Sequence, residues 1–127
     1  MKDFGAAEWR RAHKTLASAK LLAGSDPDSA ASRAYYAALH GLRAVFALRE
    51  RTFTKHTAIR AALHADLVRT GLLPPACGGN YDYLLDARAV ADYGGVPPVL
   101  AADGAAAIAK AERFLAALGG ICPDLPR

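Results

Sequence analysis

The stretch Ala30-Ala31-Ser32-Arg33-Ala34-Tyr35-Tyr36-Ala37-Ala38-Leu39-His40-Gly41 decides the fold. Its small residues, Ala30, Ala31, Ala34, Ala37, Ala38 and Gly41, recur at helical intervals, so a helix through them carries a face with little bulk. A neighbouring backbone can come close to such a face, which places this helix at the centre of a bundle. Upstream, Ser25-Asp26-Pro27 supplies a cap residue and a proline suited to a first helical turn, so the spacing predicts a helix over 27–50, the longest in the chain.

Working outward, Trp9, Ala12, Leu16 and Ala19 form an apolar stripe with Arg10, Arg11, Lys14 and Lys20 largely outside it. That pattern predicts an amphipathic helix over 6–23 that stops at Gly24. Beyond the central helix, Thr52 to Thr54 interrupt the pattern. Ile59, Leu63 and Leu67 then repeat every four residues as far as Gly71. Pro74, Pro75, Gly78 and Gly79 form a connection or a broken first turn before a fourth helix marked by Leu84, Leu85, Ala87 and Ala91. Gly94, Gly95, Pro97 and Pro98 end it. A fifth helix over 99–118 turns Ile108, Ala111, Leu115 and Leu118 inward and closes at Gly119-Gly120. No alternating strand pattern and no internal repeat is present. Short connections favour antiparallel neighbours, so the expected architecture is all-α: an up-and-down bundle of four core helices with a fifth packed alongside, in a single domain over 1–127.

Composition limits the function classes. A chain of 127 residues can bury a core without disulfides or metals. Its 53% hydrophobic content is largely alanine, and no uninterrupted apolar run reaches the roughly 18–20 residues of a membrane span. Met1-Lys2-Asp3-Phe4 leads into charged sequence rather than a signal peptide, so a cytoplasmic location is expected, without membrane contact. Cys77 and Cys122 lack metal-site spacing and are expected as free thiols. The net charge of +4 favours polyanions, and 11 arginines against 5 lysines suit bidentate phosphate contacts, although arginine suits ion pairs equally. There is no glycine-rich phosphate loop, no His-Glu-x-x-His motif and no nucleophile elbow. Neither a metal nor an organic cofactor is expected.

Three polar clusters remain. Arg33, Tyr36 and His40 stand at i, i+3 and i+7 on one helix face. A guanidinium, a phenol and an imidazole so aligned suit holding a phosphate and moving a proton at neutral pH, the chemistry of metal-independent RNA cleavage. The structural alternative packs Tyr36 in the core, pairs Arg33 with an acid on another helix and leaves His40 a partly buried polar residue. Arg88 and Asp92, four apart, form an intrahelical ion pair or a pair in which Asp92 orients Arg88 toward an anion, with Tyr93 beside them. Lys55 and His56 lie at the start of the third helix, where free N–H groups attract anions.

Ser32-Arg33-Ala34-Tyr35-Tyr36-Ala37, Lys55-His56, Arg69-Thr70-Gly71-Leu72-Leu73-Pro74, and Arg88 with Ala91-Asp92-Tyr93-Gly94 together resemble, in order, the marks of the HEPN family in its short stand-alone branch. The resemblance implies a helical bundle that forms a homodimer, is often encoded beside a minimal nucleotidyltransferase antitoxin, and serves toxin–antitoxin or defence systems. Many members are metal-independent endoribonucleases, with an Arg followed after four to six residues by a His on a late helix. Here Arg88 is followed after four residues by Tyr93, a poor general base at neutrality. Two functions therefore stay open. One is a ribonuclease toxin with Arg33 or Arg88 on phosphate, His40 as acid/base, and Tyr36 or Tyr93 holding RNA. The other is a non-catalytic module that binds a nucleotide or a partner. A purely structural dimer subunit leaves the aligned polar residues unexplained.

Overall fold

The computed structural model describes residues 1–93 and 99–126. Five α-helices follow in order: α1 Lys2–Leu22, α2 Pro27–Leu48, α3 His56–Ala62, α4 Pro75–Asp92 and α5 Ala101–Ile121, with a π-helical segment Leu63–Val68 continuing α3. Among the described residues there is no strand. Helix α2 packs against α1, α4 and α5, while α3 and its π segment lie alongside against α4. The bundle is therefore the expected one, with α1, α2, α4 and α5 as its core.

The reason lies in the small-residue face of α2. Ala30, Ala31, Ala34, Ala37, Ala38 and Gly41 are all buried. At Gly41 an added Cβ would collide with the Leu115 side chain of α5, so the leucine fills the space that the glycine leaves. Around this seam Leu39, Leu42, Val45 and Phe46 are almost fully buried, each worth roughly 1.5–3 kcal/mol. Asp26 caps α2 by accepting from the Ser29 N–H at 3.2 Å. Asp28 accepts from the Val99 N–H at 3.2 Å, tying the approach to α5 onto the start of α2.

Several features of the helices differ from expectation, each for a local reason. Helix α1 begins at Lys2 rather than near residue 6, because Gly5 lies against Ala44 and Leu48 of α2 and is held in the helix by that approach. Helix α4 takes in Gly78 and Gly79 instead of starting after them, since the His64 imidazole occupies the space a Cβ at Gly78 would need. Helix α5 runs through Gly119 and Gly120, where Gly119 faces the Trp9 ring. The leucine repeat after Ile59 belongs to a wider π turn, in which the Arg69 N–H reaches the His64 carbonyl at 2.9 Å. The expected break at Gly94, Gly95, Pro97 and Pro98 lies outside the described residues.

Helix α2 ends at Leu48, two residues early, in a Schellman motif. The Arg51 N–H bonds the Phe46 carbonyl and the Glu50 N–H bonds the Ala47 carbonyl, with Glu50 in the left-handed region at φ 60°. That backbone conformation costs a non-glycine residue about 1 kcal/mol. Cys77 and Cys122 are free thiols, and no helix among the described residues is long and apolar enough to cross a membrane.

Candidate functional site

Helical spacing on α4 puts Tyr81, Arg88 and Asp92 along one side of the helix, and α2 presents Tyr35 and Tyr36 to them. Arg88 is the centre of the group. Its Nη2 donates to Tyr36 Oη at 2.9 Å across the α2–α4 interface. Asp92 Oδ2 lies 2.7 Å from Nε, but off the N–H direction, so Nε is buried without a hydrogen bond among the described residues. The guanidinium carbon stands 5.7, 5.5 and 5.9 Å from the ring centroids of Tyr35, Tyr36 and Tyr93. Three aromatic rings thus surround one cation.

Burial works against the charge of Arg88, but the Tyr36 hydrogen bond and the Asp92 carboxylate outweigh it and hold the guanidinium firmly protonated. Of its five N–H donors, one reaches Tyr36. With Nε buried beside Asp92, the three others are left for an acceptor from outside, on a side chain 20% exposed.

A second chain of polar groups runs from Tyr35. Its hydroxyl is 3.1 Å from His56 Nδ1 and 3.5 Å from the Tyr81 hydroxyl. Burial pushes both phenols up from their ordinary range, so both keep their protons at neutral pH. Burial, reinforced by the Arg43 and Arg88 charges, pushes His56 down, so its imidazole is neutral there. One consistent assignment has Tyr81 donating to Tyr35 and Tyr35 donating to His56 Nδ1, with the His56 proton on Nε2; the other runs the same chain in reverse, from a proton on Nδ1.

The structure distributes the candidate residues as follows. Arg88, Asp92, Tyr93 and Tyr36 come together. Arg33 is exposed and lines, with Ser29, Ser32, Tyr36 and Asp92, a shallow cleft of about 360 Å³ between α2 and α4. His56 joins the same neighbourhood through Tyr35. Lys55 is the exposed residue preceding α3. His40 goes elsewhere: its Nδ1 is 2.7 Å from Glu8 Oε2 on α1. Sequence reasoning missed Tyr35, Tyr81 and Glu8. The seven-residue step from Tyr81 to Arg88 was an available signal for the second, whereas Glu8 had none, since nothing local ties it to His40.

The HEPN domain model matches residues 6–121. The chain is 33% identical over 119 residues to a UPF0332 protein of Thermotoga maritima, covering 93% of this chain and 90% of that protein.

Proposed function

The chain belongs to the HEPN family, and on that premise we propose that it is an RNA-directed module of a toxin–antitoxin or defence system that contacts RNA phosphate through Arg88. The observation that carries the reading is the Arg88 guanidinium itself: held charged, fixed by Tyr36 and Asp92, ringed by aromatics and with three of its N–H donors neither bonded to Tyr36 nor buried at Nε. Planar cations of this kind suit phosphate oxygens, and exposed tyrosine faces suit unstacked bases. In this reading Arg33 and Lys55 add positive charge at the rim and Tyr93 offers a stacking face. Two copies assemble as a homodimer, and a nucleotidyltransferase acts as the antitoxin.

Binding is tested by fluorescence anisotropy with a labelled single-stranded oligoribonucleotide. Loss of a charge-assisted contact in Arg88→Ala costs roughly 1.5–3 kcal/mol of binding. Arg88→Lys recovers part of it if a point charge suffices. Unchanged affinity in a folded Arg88→Ala protein removes the phosphate assignment.

Metal-independent cleavage is a second reading, favoured by His56. A neutral imidazole in the same network as a phosphate-binding cation is a proton carrier at physiological pH. His40 remains the other candidate, because a carboxylate such as Glu8 orients an imidazole for proton transfer. Incubating the protein with mixed RNA in excess EDTA, beside folded His40→Ala and His56→Ala proteins, decides whether RNA is cut and which histidine the reaction needs.

A further inference from the structure

Helices α1 and α5 both pack on α2 but scarcely on each other, which leaves a groove between them. Its α1 wall is Trp9, His13, Leu16 and Lys20, at i, i+4, i+7 and i+11 on one face. Glu112, Leu115 and Gly119, at i, i+3 and i+7, form the wall on α5. The segment after α5, beyond residue 121 where the family match ends, supplies a third wall. There the Trp9 indole N–H donates to the Pro126 carbonyl at 2.7 Å, and Leu125 is buried. The result is a cavity of about 540 Å³, within the roughly 300–1,000 Å³ of small-molecule sites.

Two glycines in this lining have no packing reason. Gly119 and Gly120 both line the cavity in the last turn of α5, where glycine is a poor helix former, and neither has a positive φ. A Cβ at Gly119 would make ordinary contact with the Trp9 ring, at 3.6 Å, and one at Gly120 would meet nothing within 4 Å. The fold has room for a side chain at both. What the glycines provide is bare backbone beside Trp9 and open space in the cavity.

The chemistry of the lining is divided. Trp9, Leu16, Leu115 and Leu125 are buried and make an apolar floor. Lys20 and Glu112 stand at the rim, 3.6 Å apart with side chains about half exposed, a separation too long for a hydrogen bond. Such a pair is held weakly and opens at little cost. Their formal charges cancel, so this rim does not favour a polyanion: a phosphate on Lys20 would face the Glu112 carboxylate. A ligand with one charge satisfies one of the two, whereas a zwitterion satisfies both.

We propose that this cavity binds a small zwitterion with an apolar body, of the size of an aromatic or branched α-amino acid, with its side chain against Trp9 and Gly120, its carboxylate on Lys20 and its ammonium on Glu112. The site shares no lining residue with the Arg88 cleft and does not rest on the RNA reading.

Trp9 is the single tryptophan of the chain, so its fluorescence reports on this cavity directly. Titrating the whole chain with phenylalanine and leucine should give a saturable change at millimolar concentration or below, and glycine, which lacks the apolar body, none. Phenethylamine and hydrocinnamate, each lacking one of the two charges, should bind severalfold more weakly than phenylalanine. Lys20→Ala and Glu112→Gln should each lose up to about fivefold, the range of a half-exposed ion pair. Gly120→Leu keeps the helix and fills the cavity, so it should lose at least about tenfold while its melting temperature holds at or above that of wild type. Isothermal titration repeats the measurement without reliance on the indole. Absence of saturable binding by both amino acids in both measurements overturns the proposal. So does affinity unchanged in Gly120→Leu or in both charge variants. Phenethylamine or hydrocinnamate binding as tightly as phenylalanine would leave an apolar pocket alone and overturn the zwitterion assignment.

Discussion

His40 Nδ1 and Glu8 Oε2 meet at 2.7 Å in the seam between α2 and α1. Among the described residues Glu8 is the charged one that is buried, with a side chain only 7% exposed. A carboxylate taken so far out of water needs a partner.

His40→Ala therefore carries a folding cost independent of any chemistry. Among the described residues it leaves Glu8 with only the 3.5 Å contact to Arg11, and stranding a buried acceptor costs about 1–3 kcal/mol. Glu8→Gln keeps an acceptor for the imidazole and costs less. Urea denaturation of both variants and of the double mutant measures the coupling. Wild-type stability in His40→Ala would show that the pair holds nothing. Any rate lost by His40→Ala is to be compared only between folded populations.

His56 gives the bundle a pH dependence whose sign follows from its environment. Burial first, then the Arg43 and Arg88 charges, depress its folded pKa below the ordinary histidine value of 6.5. Between the two values the unfolded chain binds more protons, so stability is fully present above about pH 6.5 and falls as pH drops toward the folded pKa. Unfolding curves at pH 7.5, 6.5 and 5 are expected to show a steeper loss for wild type than for His56→Gln. Parallel loss in the two proteins would mean that His56 is not held neutral by the fold.

Two backbone positions should respond in opposite directions. Gly41→Ala drives a methyl into Leu115 at the α2–α5 seam, and overpacking of this kind costs typically 1–3 kcal/mol. Glu50→Gly relieves a left-handed residue at the end of α2 and gains about 1 kcal/mol. Thermal melts of the two variants check both signs. A neutral Gly41→Ala would mean that the Leu115 side chain gives way at little cost.

These positions also mark how far the sequence could be read. The helices were legible because α2 announces itself through small residues at helical spacing, and because Asp26-Pro27 carries a start signal whose chemistry is local. Arg88 with Asp92 was legible for the same reason, being one turn of one helix. What could not be read is what the third dimension supplies. Arg88 bonds Tyr36 across 52 positions and His40 bonds Glu8 across 32, and no periodicity links such pairs. Gly78 reads as a breaker until His64 is seen filling its side-chain space. Ile59, Leu63 and Leu67 keep an interval of four through both an α and a π turn, so the interval cannot tell them apart.

Val90 and Tyr93, at i and i+3 near the end of α4, are exposed to 42% and 78%, and Leu100, just before α5, to 61%. Single exposed apolar residues are ordinary, but Val90 and Tyr93 belong to the helix that carries Arg88. If two copies of the chain meet over this face, a two-fold axis brings the same patch of each together. Val90→Asp would then place two carboxylates near that axis, where like charges in a desolvated seam repel. Light scattering at tens of micromolar should give twice the chain mass for wild type and the single-chain mass for Val90→Asp. As a surface change, the substitution should move the stability of the isolated chain by no more than about 0.5 kcal/mol. RNA affinity should fall with the dimer if the Arg88 contacts of two copies act on one strand, and should stay if each copy binds alone. A Val90→Asp protein that remains dimeric puts the interface on another face. A wild type that is monomeric at these concentrations removes the homodimer from the proposed function and leaves each Arg88 site to act by itself.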